Sequence, residues 1–182
     1  MIKFITYNNF DSNLRIVQIK FIKKTLFIIM EYETLNELKN SISMKIKKGI
    51  QLVDLKEDLK NYVGTDWEQY KSFNSEKYTR NIIYNDDDFE IILICWDKFQ
   101  SSKIHDHPEK GCLLKIMEGQ LLEENFNKVN DEFIFLNRKN LVKNEISYKI
   151  GHNGLHNIIN EHENQSISLH IYSPPNYKAN FY

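Results

Sequence analysis

With 182 residues, the chain is long enough for one well-buried core and short for two ordinary domains. Hydrophobic residues make up 41% and aromatics 13% of it, and the formal charge of -1 provides no field for nucleic acid or an acidic membrane surface, so neither is expected as a partner. Two cysteines, Cys95 and Cys112, exclude a disulfide framework and fit a reducing compartment, the cytoplasm by default.

Residues 1–29 read as an N-terminal extension of uncertain status. Its apolar run, Thr25 to Met30, falls short of the roughly 7–15 residues of a signal core and far short of a membrane span. Its basic excess (Lys3, Arg15, Lys20, Lys23 and Lys24 against Asp11) leaves a mitochondrial presequence as the alternative to the cytoplasm, and Met30 as an alternative start. Ile2 to Thr6 and Val17 to Phe21 alternate weakly, as strands do.

Residues 30–182 read as one domain with helices over about 34–73. Thr34 and Glu37 have capping-box spacing ahead of Leu38, Ile42 and Ile46. Asp54 and Glu57 repeat that spacing before Leu59 and Val63, with Gly64 as stop, and a third helix is expected from Asp66 towards Phe73, carrying Trp67 and Tyr70. From Tyr78 the texture changes to short aliphatic and aromatic runs separated by polar clusters. Strands are expected at Phe89 to Trp96, Cys112 to Glu118, Gln120 to Phe126, Glu132 to Leu136, Ile146 to Ile150, Leu155 to Ile159 and Ser166 to Tyr172. The expected fold is mainly β, an antiparallel β-barrel or jelly roll over about 78–182 behind a small helical layer.

His105 and His107 are one residue apart, so on a strand both imidazoles face the same way and can bind one ion, with His156 as a third ligand. Spacing alone admits zinc, manganese, nickel or iron. Ser168, His170 and Tyr172 alternate along one strand and share a face, as do Tyr78 and Arg80. Taken alone, Arg80 reads as a surface ion pair, Tyr78 as a packed ring, and Cys95 and Cys112 as buried thiols. His152 and His162 lie in polar, turn-like stretches and read as exposed residues, not ligands; Trp96 reads as a wall of the site.

Four residues separate His107 from Cys112, six separate Cys112 from Gly119, and three separate His156 from Asn160. This spacing resembles the two metal motifs of the cupin superfamily, with Cys112 standing where a cupin normally has a glutamate ligand. Together with Tyr78-Thr79-Arg80-Asn81, Cys95-Trp96, Ile104-His105-Asp106-His107, Gly154-Leu155-His156 and the run Ser168 to Pro175, the stretch from Tyr32 to Pro175 resembles cysteine dioxygenase. The resemblance implies one Fe(II) per chain on His105, His107 and His156, with L-cysteine and dioxygen as substrates. The product would be cysteine sulfinate, leading towards taurine and hypotaurine or towards pyruvate and sulfite. It assigns the substrate carboxylate to Arg80 with Tyr78 beside it, a hydrogen-bonded series to Ser168, His170 and Tyr172, and a thioether to Cys112 and Tyr172. It further implies a cis Ser173–Pro174 bond and a monomer. An all-imidazole triad suits Fe(II) and leaves positions open for a thiolate, an amine and dioxygen.

Two departures stand out. Asp97 to Lys103 replaces a glycine-rich turn, and the family commonly continues past the double proline to wall the pocket, whereas this chain ends at Tyr182. Enclosure of the pocket is therefore an open question, with a strand added by the N-terminal extension as one substitute for that wall. The competing readings are a dioxygenase of another thiol, such as 3-mercaptopropionate or the N-terminal cysteine of a peptide, and a non-catalytic metal-binding cupin.

Overall fold

The computed structural model describes residues 16–22 and 25–182, with the backbone alone for residues 16–30. Strands β1 (Ile16–Ile22) and β2 (Thr25–Met30) pair antiparallel in a two-stranded sheet of their own. Among the described residues the extension therefore joins no other sheet. The alternation at Ile2 to Thr6, the start at Met1 and most of the basic residues weighed as a presequence lie outside the described residues.

The capping box at Thr34 forms. Its hydroxyl accepts from Glu37 N–H at 3.2 Å while the Glu37 carboxylate accepts from Thr34 N–H at 3.3 Å, opening α1 (Leu35–Lys47). The box expected at Asp54 does not form. A 3-10 turn, Leu52–Leu55, runs directly into the short α2 (Lys56–Lys60) with no side-chain cap, because Leu52, Leu55 and Leu59 must all face the core within that length. The third helix is likewise only a 3-10 turn, Asp66–Tyr70. Asp66 ties it down, accepting from Leu35 N–H at 2.8 Å and Tyr62 O–H at 2.5 Å.

Five strands, β3 (Thr79–Asn85), β4 (Glu90–Trp96), β5 (Cys112–Glu118), β8 (Ile146–Lys149) and β10 (Ser166–Tyr172), form one antiparallel sheet in the order β3-β4-β10-β5-β8. A second sheet, β7-β6-β9, holds β6 (Gln120–Val129), β7 (Glu132–Val142) and β9 (Leu155–Ile159). The expected jelly roll is thus two sheets, not a closed barrel. Single bridges, Ser101 to Ile159 and His105 to His156, join the chain following β4 to β9. The β6–β7 hairpin turns at Asn130 and Asp131, both left-handed, and β7 extends well past the expected Leu136 because its second half, exposed except at Leu141, pairs with β6.

Strands β4 and β10 are buried on both faces, and their two faces serve different layers. Ile91, Leu93, Cys95, Ile167, Leu169 and Ile171 pack under the helices with Leu38, Ile42 and Leu59. Ile92, Ile94 and Trp96 turn the other way and pack with Leu121, Leu141 and Ile158 between the sheets. Each fully buried aliphatic side chain contributes about 1.5–3 kcal/mol. On β5 the helix-facing position between Leu113 and Met117 is Lys115, whose Nζ donates to the carbonyls of Leu59, Lys60 and Tyr62 at 3.1, 3.0 and 2.6 Å, capping the end of α2. No helix is long and apolar enough to cross a membrane among the described residues.

Candidate metal centre

His105 and His107 do not sit on a regular strand. They lie in the connection between β4 and β5, held extended by backbone bonds: His105 N–H to His156 O at 2.9 Å, His156 N–H to His105 O at 3.3 Å and His107 N–H to Gly151 O at 3.3 Å. The alternation still operates, and the ligand nitrogens of His105, His107 and His156 all lie within 4.8 Å of one another. His105 Nε2 and His156 Nε2 are 3.3 Å apart.

Every one of these rings has its Nδ1 committed elsewhere. His105 Nδ1 faces Lys103 O at 2.9 Å, His107 Nδ1 faces Gly154 O at 2.8 Å, and His156 Nδ1 faces Glu123 Oε1 at 2.8 Å. These partners accept only, so each Nδ1 carries the proton and each Nε2 presents a lone pair. Burial, with repulsion from His156, lowers the His105 pKa to about 3. Burial also lowers His107 and His156, for the latter against the pull of Glu123. Three neutral imidazoles converging by lone pairs fit a divalent cation.

Glu123 is not evident as a site residue from the sequence. It shares a strand face with buried Leu121, and a carboxylate on an apolar face is the signal that could have marked it. It accepts from Ser147 Oγ at 2.7 Å and lies 3.4 Å from Lys149 Nζ, both on β8, so it also ties the two sheets together. Burial alone would raise its pKa, but the bond from His156, the charge of Lys149 and the bond from Ser147 outweigh this and hold it down at about 2.

The other wall comes from the five-stranded sheet. Along β10, Ser168, His170 and Tyr172 face inward as the alternation requires. Trp96 Nε1–H donates to Ser168 Oγ at 2.9 Å, Ser168 Oγ lies 2.8 Å from His170 Nε2, and His170 Nδ1 lies 3.2 Å from the Tyr172 hydroxyl. An indole N–H can only donate, so the Ser168 hydrogen is free for Nε2 and the ring proton is assigned to Nδ1, which donates to the Tyr172 oxygen. The Tyr172 hydrogen is then available to the pocket. Arg80 Nη1 approaches the same oxygen at 3.4 Å, with its guanidinium carbon 5.2 Å from the Tyr172 ring centre. Tyr78 stacks on Trp96 at 4.5 Å. Cys112 is the cross-strand partner of Tyr172, with its sulfur 3.8 Å from His170 Nδ1.

Between these walls lies a cavity of about 280 Å³ lined by Tyr78, Arg80, His105, Asp106 and Tyr172 and, from the C-terminal segment, by Tyr177, Lys178, Ala179 and Phe181. The last residues of the chain supply the wall, and among the described residues no part of the N-terminal extension lines it. They do so because Asp106, buried between the two histidines, accepts bonds from Tyr177 and Asn180. His152 is exposed, as expected, yet its Nδ1 lies 2.6 Å from Asp106 Oδ2. His162 is half-buried, and its backbone N–H donates to Asn160. Cys95 packs under the helices, and the Ser173–Pro174 bond is cis. In the Asp97–Lys103 loop, Phe99 takes the left-handed φ of 60°, a conformation that glycine adopts without strain.

A family model described as cysteine dioxygenase type I matches residues 30–182. Cysteine dioxygenase type 1 of Rattus norvegicus is 35% identical over 115 residues, 60% of this chain and 58% of the rat protein, so the match spans little more than half of that relative. The Danio rerio protein of the same name is 30% identical over 156 residues, covering 81% of this chain and 78% of its own length. Among solved structures, a protein from Thermus thermophilus is similar with a TM-score of 0.51 at 15% identity, covering 61% of this chain and 96% of that one. A Klebsiella pneumoniae conserved protein with a double-stranded β-helix domain has a TM-score of 0.50 at 15% identity, covering 63% and 86%. These structures share the fold.

Proposed function

Because the chain belongs to the cysteine dioxygenase type I family, we propose that it is an iron(II)-dependent dioxygenase that converts L-cysteine and O2 to L-cysteine sulfinic acid. The observation that carries this reading is a cluster of three lone-pair-presenting imidazoles, one of which, His105, lines the same cavity as Arg80 and Tyr172. His105, His107 and His156 would hold iron(II), which would supply Lewis acidity towards the substrate thiol and mediate electron transfer from sulfur to dioxygen. Both oxygen atoms end on sulfur, so the reaction balances without a further reductant.

The chain's own residues bind and orient. Arg80 presents a fork of N–H donors suited to the substrate carboxylate, and because its Nη1 lies 3.4 Å from the Tyr172 oxygen, a carboxylate bound there would lie beside the phenol. Burial, reinforced by Cys112, pushes the Tyr172 pKa well up, so the phenol stays protonated and donates its hydrogen into the pocket. The Trp96–Ser168–His170 series holds the Tyr172 oxygen from behind and fixes the direction of that donation. The buried, unpaired cysteines Cys95 and Cys112 support a reducing, cytosolic setting. The test is oxygen uptake by iron-loaded protein on addition of L-cysteine, with cysteine sulfinate formed in equal amount; folded, iron-loaded protein that yields no sulfinate would refute the reading.

A further inference from the structure

We infer that Asp106 is a positioning residue that ties the C-terminal segment, residues 177–182, to the ion-binding segment, and that Phe181, so held, limits the length of thiol the pocket accepts. The inference rests on the dioxygenase reading and adds to it the residue that bounds the substrate.

Alternation along residues 105–107 sends two imidazoles to one side and Asp106 to the other. Asp106 is 1% exposed and all of its acceptor capacity is filled. Oδ1 accepts from the Tyr177 hydroxyl at 3.0 Å and from Asn180 N–H at 2.8 Å; Oδ2 accepts from Asn180 Nδ2 at 2.7 Å and faces His152 Nδ1 at 2.6 Å. The backbone repeats the connection, with Asp106 N–H donating to Asn180 O at 3.4 Å and Tyr182 N–H donating to Ile104 O at 2.9 Å. Residues 180–182 are exposed and, apart from a single bridge between Phe181 and His105, belong to no strand, so these bonds hold the segment in place. Phe181 is carried between two bonded neighbours. Its ring lies 5.6 Å from the His105 ring and it lines the cavity although it is 52% exposed. An aromatic ring with so much exposed surface gains little from burial, so its place beside the cavity is set by its neighbours: Asn180, tied to Asp106, and Tyr182, tied to Ile104 and packed 5.1 Å from the Phe133 ring.

The inference separates into a latch and a boundary, and each has its own readout in full-length, iron-loaded protein. Asp106→Asn turns an N–H2 donor towards donors, and Asn180→Ala removes the Nδ2 bond to Asp106 without altering the histidine segment. Both should speed amide exchange in the peptide covering 177–182 by roughly 10- to 100-fold, the loss expected for one or two charge-assisted bonds. Exchange unchanged in Asn180→Ala overturns the latch. Phe181→Ala should leave kcat/KM for L-cysteine the higher of the two but raise the ratio for L-homocysteine, one methylene longer, by about tenfold, chiefly through KM. A ratio equal to that of the parent overturns the boundary. Should the parent oxidise neither thiol, the dioxygenase reading fails, while exchange still decides for or against the latch.

Discussion

Cys112 and Tyr172 are directly opposed residues on adjacent strands, β5 and β10, both turned into the space between the sheets. Burial pushes the Cys112 thiol up to about 12 and raises the Tyr172 phenol as well, so neither ionises readily near neutrality. Under the dioxygenase reading, a thioether between them would form by a two-electron oxidation that takes one hydrogen from the thiol and one from the ring, dioxygen accepting both as hydrogen peroxide. Iron-loaded protein turned over with L-cysteine in air should give a cross-linked peptide lighter than its two parts by two hydrogens. Cys112→Ala should abolish it. Only separate peptides after extended turnover would count against the pairing.

Arg80 lines the cavity, and its contact with Tyr172 is long, at 3.4 Å. It is therefore free to take a carboxylate. Arg80→Ala should lower kcat/KM for L-cysteine by about 10- to 100-fold, mainly through KM, the loss of a charge-assisted pair worth roughly 1.5–3 kcal/mol. Cysteamine, which lacks the carboxylate, serves as the control: its oxidation should respond far less, and an equal loss for both thiols would rule out the assignment.

Glu123 reaches the site through His156, orienting that ring and favouring its Nδ1-protonated form. Glu123→Gln keeps the shape and removes the charge, and should weaken iron affinity by about 10- to 100-fold in competition with a chelator. Ser147→Ala, which removes one support of the carboxylate, should weaken it less. Affinity equal to the parent in both variants would show that Glu123 serves the sheets alone.

Lys115 gives a pH signature remote from the metal. Burial, with a smaller contribution from Lys143, lowers its pKa from 10.5 to about 8. Between these values the unfolded chain holds a proton that the folded protein has released, so stability rises with pH across that window. Thermal melts of the parent and of Lys115→Met should therefore diverge from about pH 8 upward, the parent gaining relative to the variant. Parallel curves would mean that the three carbonyls keep the ammonium charged.

The parts of the site that follow local periodicity were legible in the sequence. Ser168, His170 and Tyr172 could be assigned to one face because a strand alternates, and His105 and His107 could be paired although their segment proved to be an irregular stretch, since extended backbone alternates even without a ladder. Asp106 and the segment at Tyr177 to Tyr182 were not legible, because their connection runs through side-chain acceptors about 70 residues apart in sequence, which no period encodes. Glu123 escaped for the same reason, its partner lying 33 residues on. The helical layer failed differently. The spacing of Asp54 and Glu57 matches a cap, but burying Leu52, Leu55 and Leu59 on so short a segment favoured the tighter 3-10 turn.

The division of the pocket between the sheets also bears on how such a protein can change. All three imidazoles and Glu123 belong to the three-stranded sheet or to chain bridged onto it, whereas Arg80, Trp96, Cys112, Ser168, His170 and Tyr172 stand on or beside the five-stranded one. Under the dioxygenase reading, substitutions on β3, β5 and β10 would alter the substrate side without replacing an imidazole, and substitutions on β6 and β9 would alter the ion-holding side, with Glu123, supported from β8, as the point where the two meet.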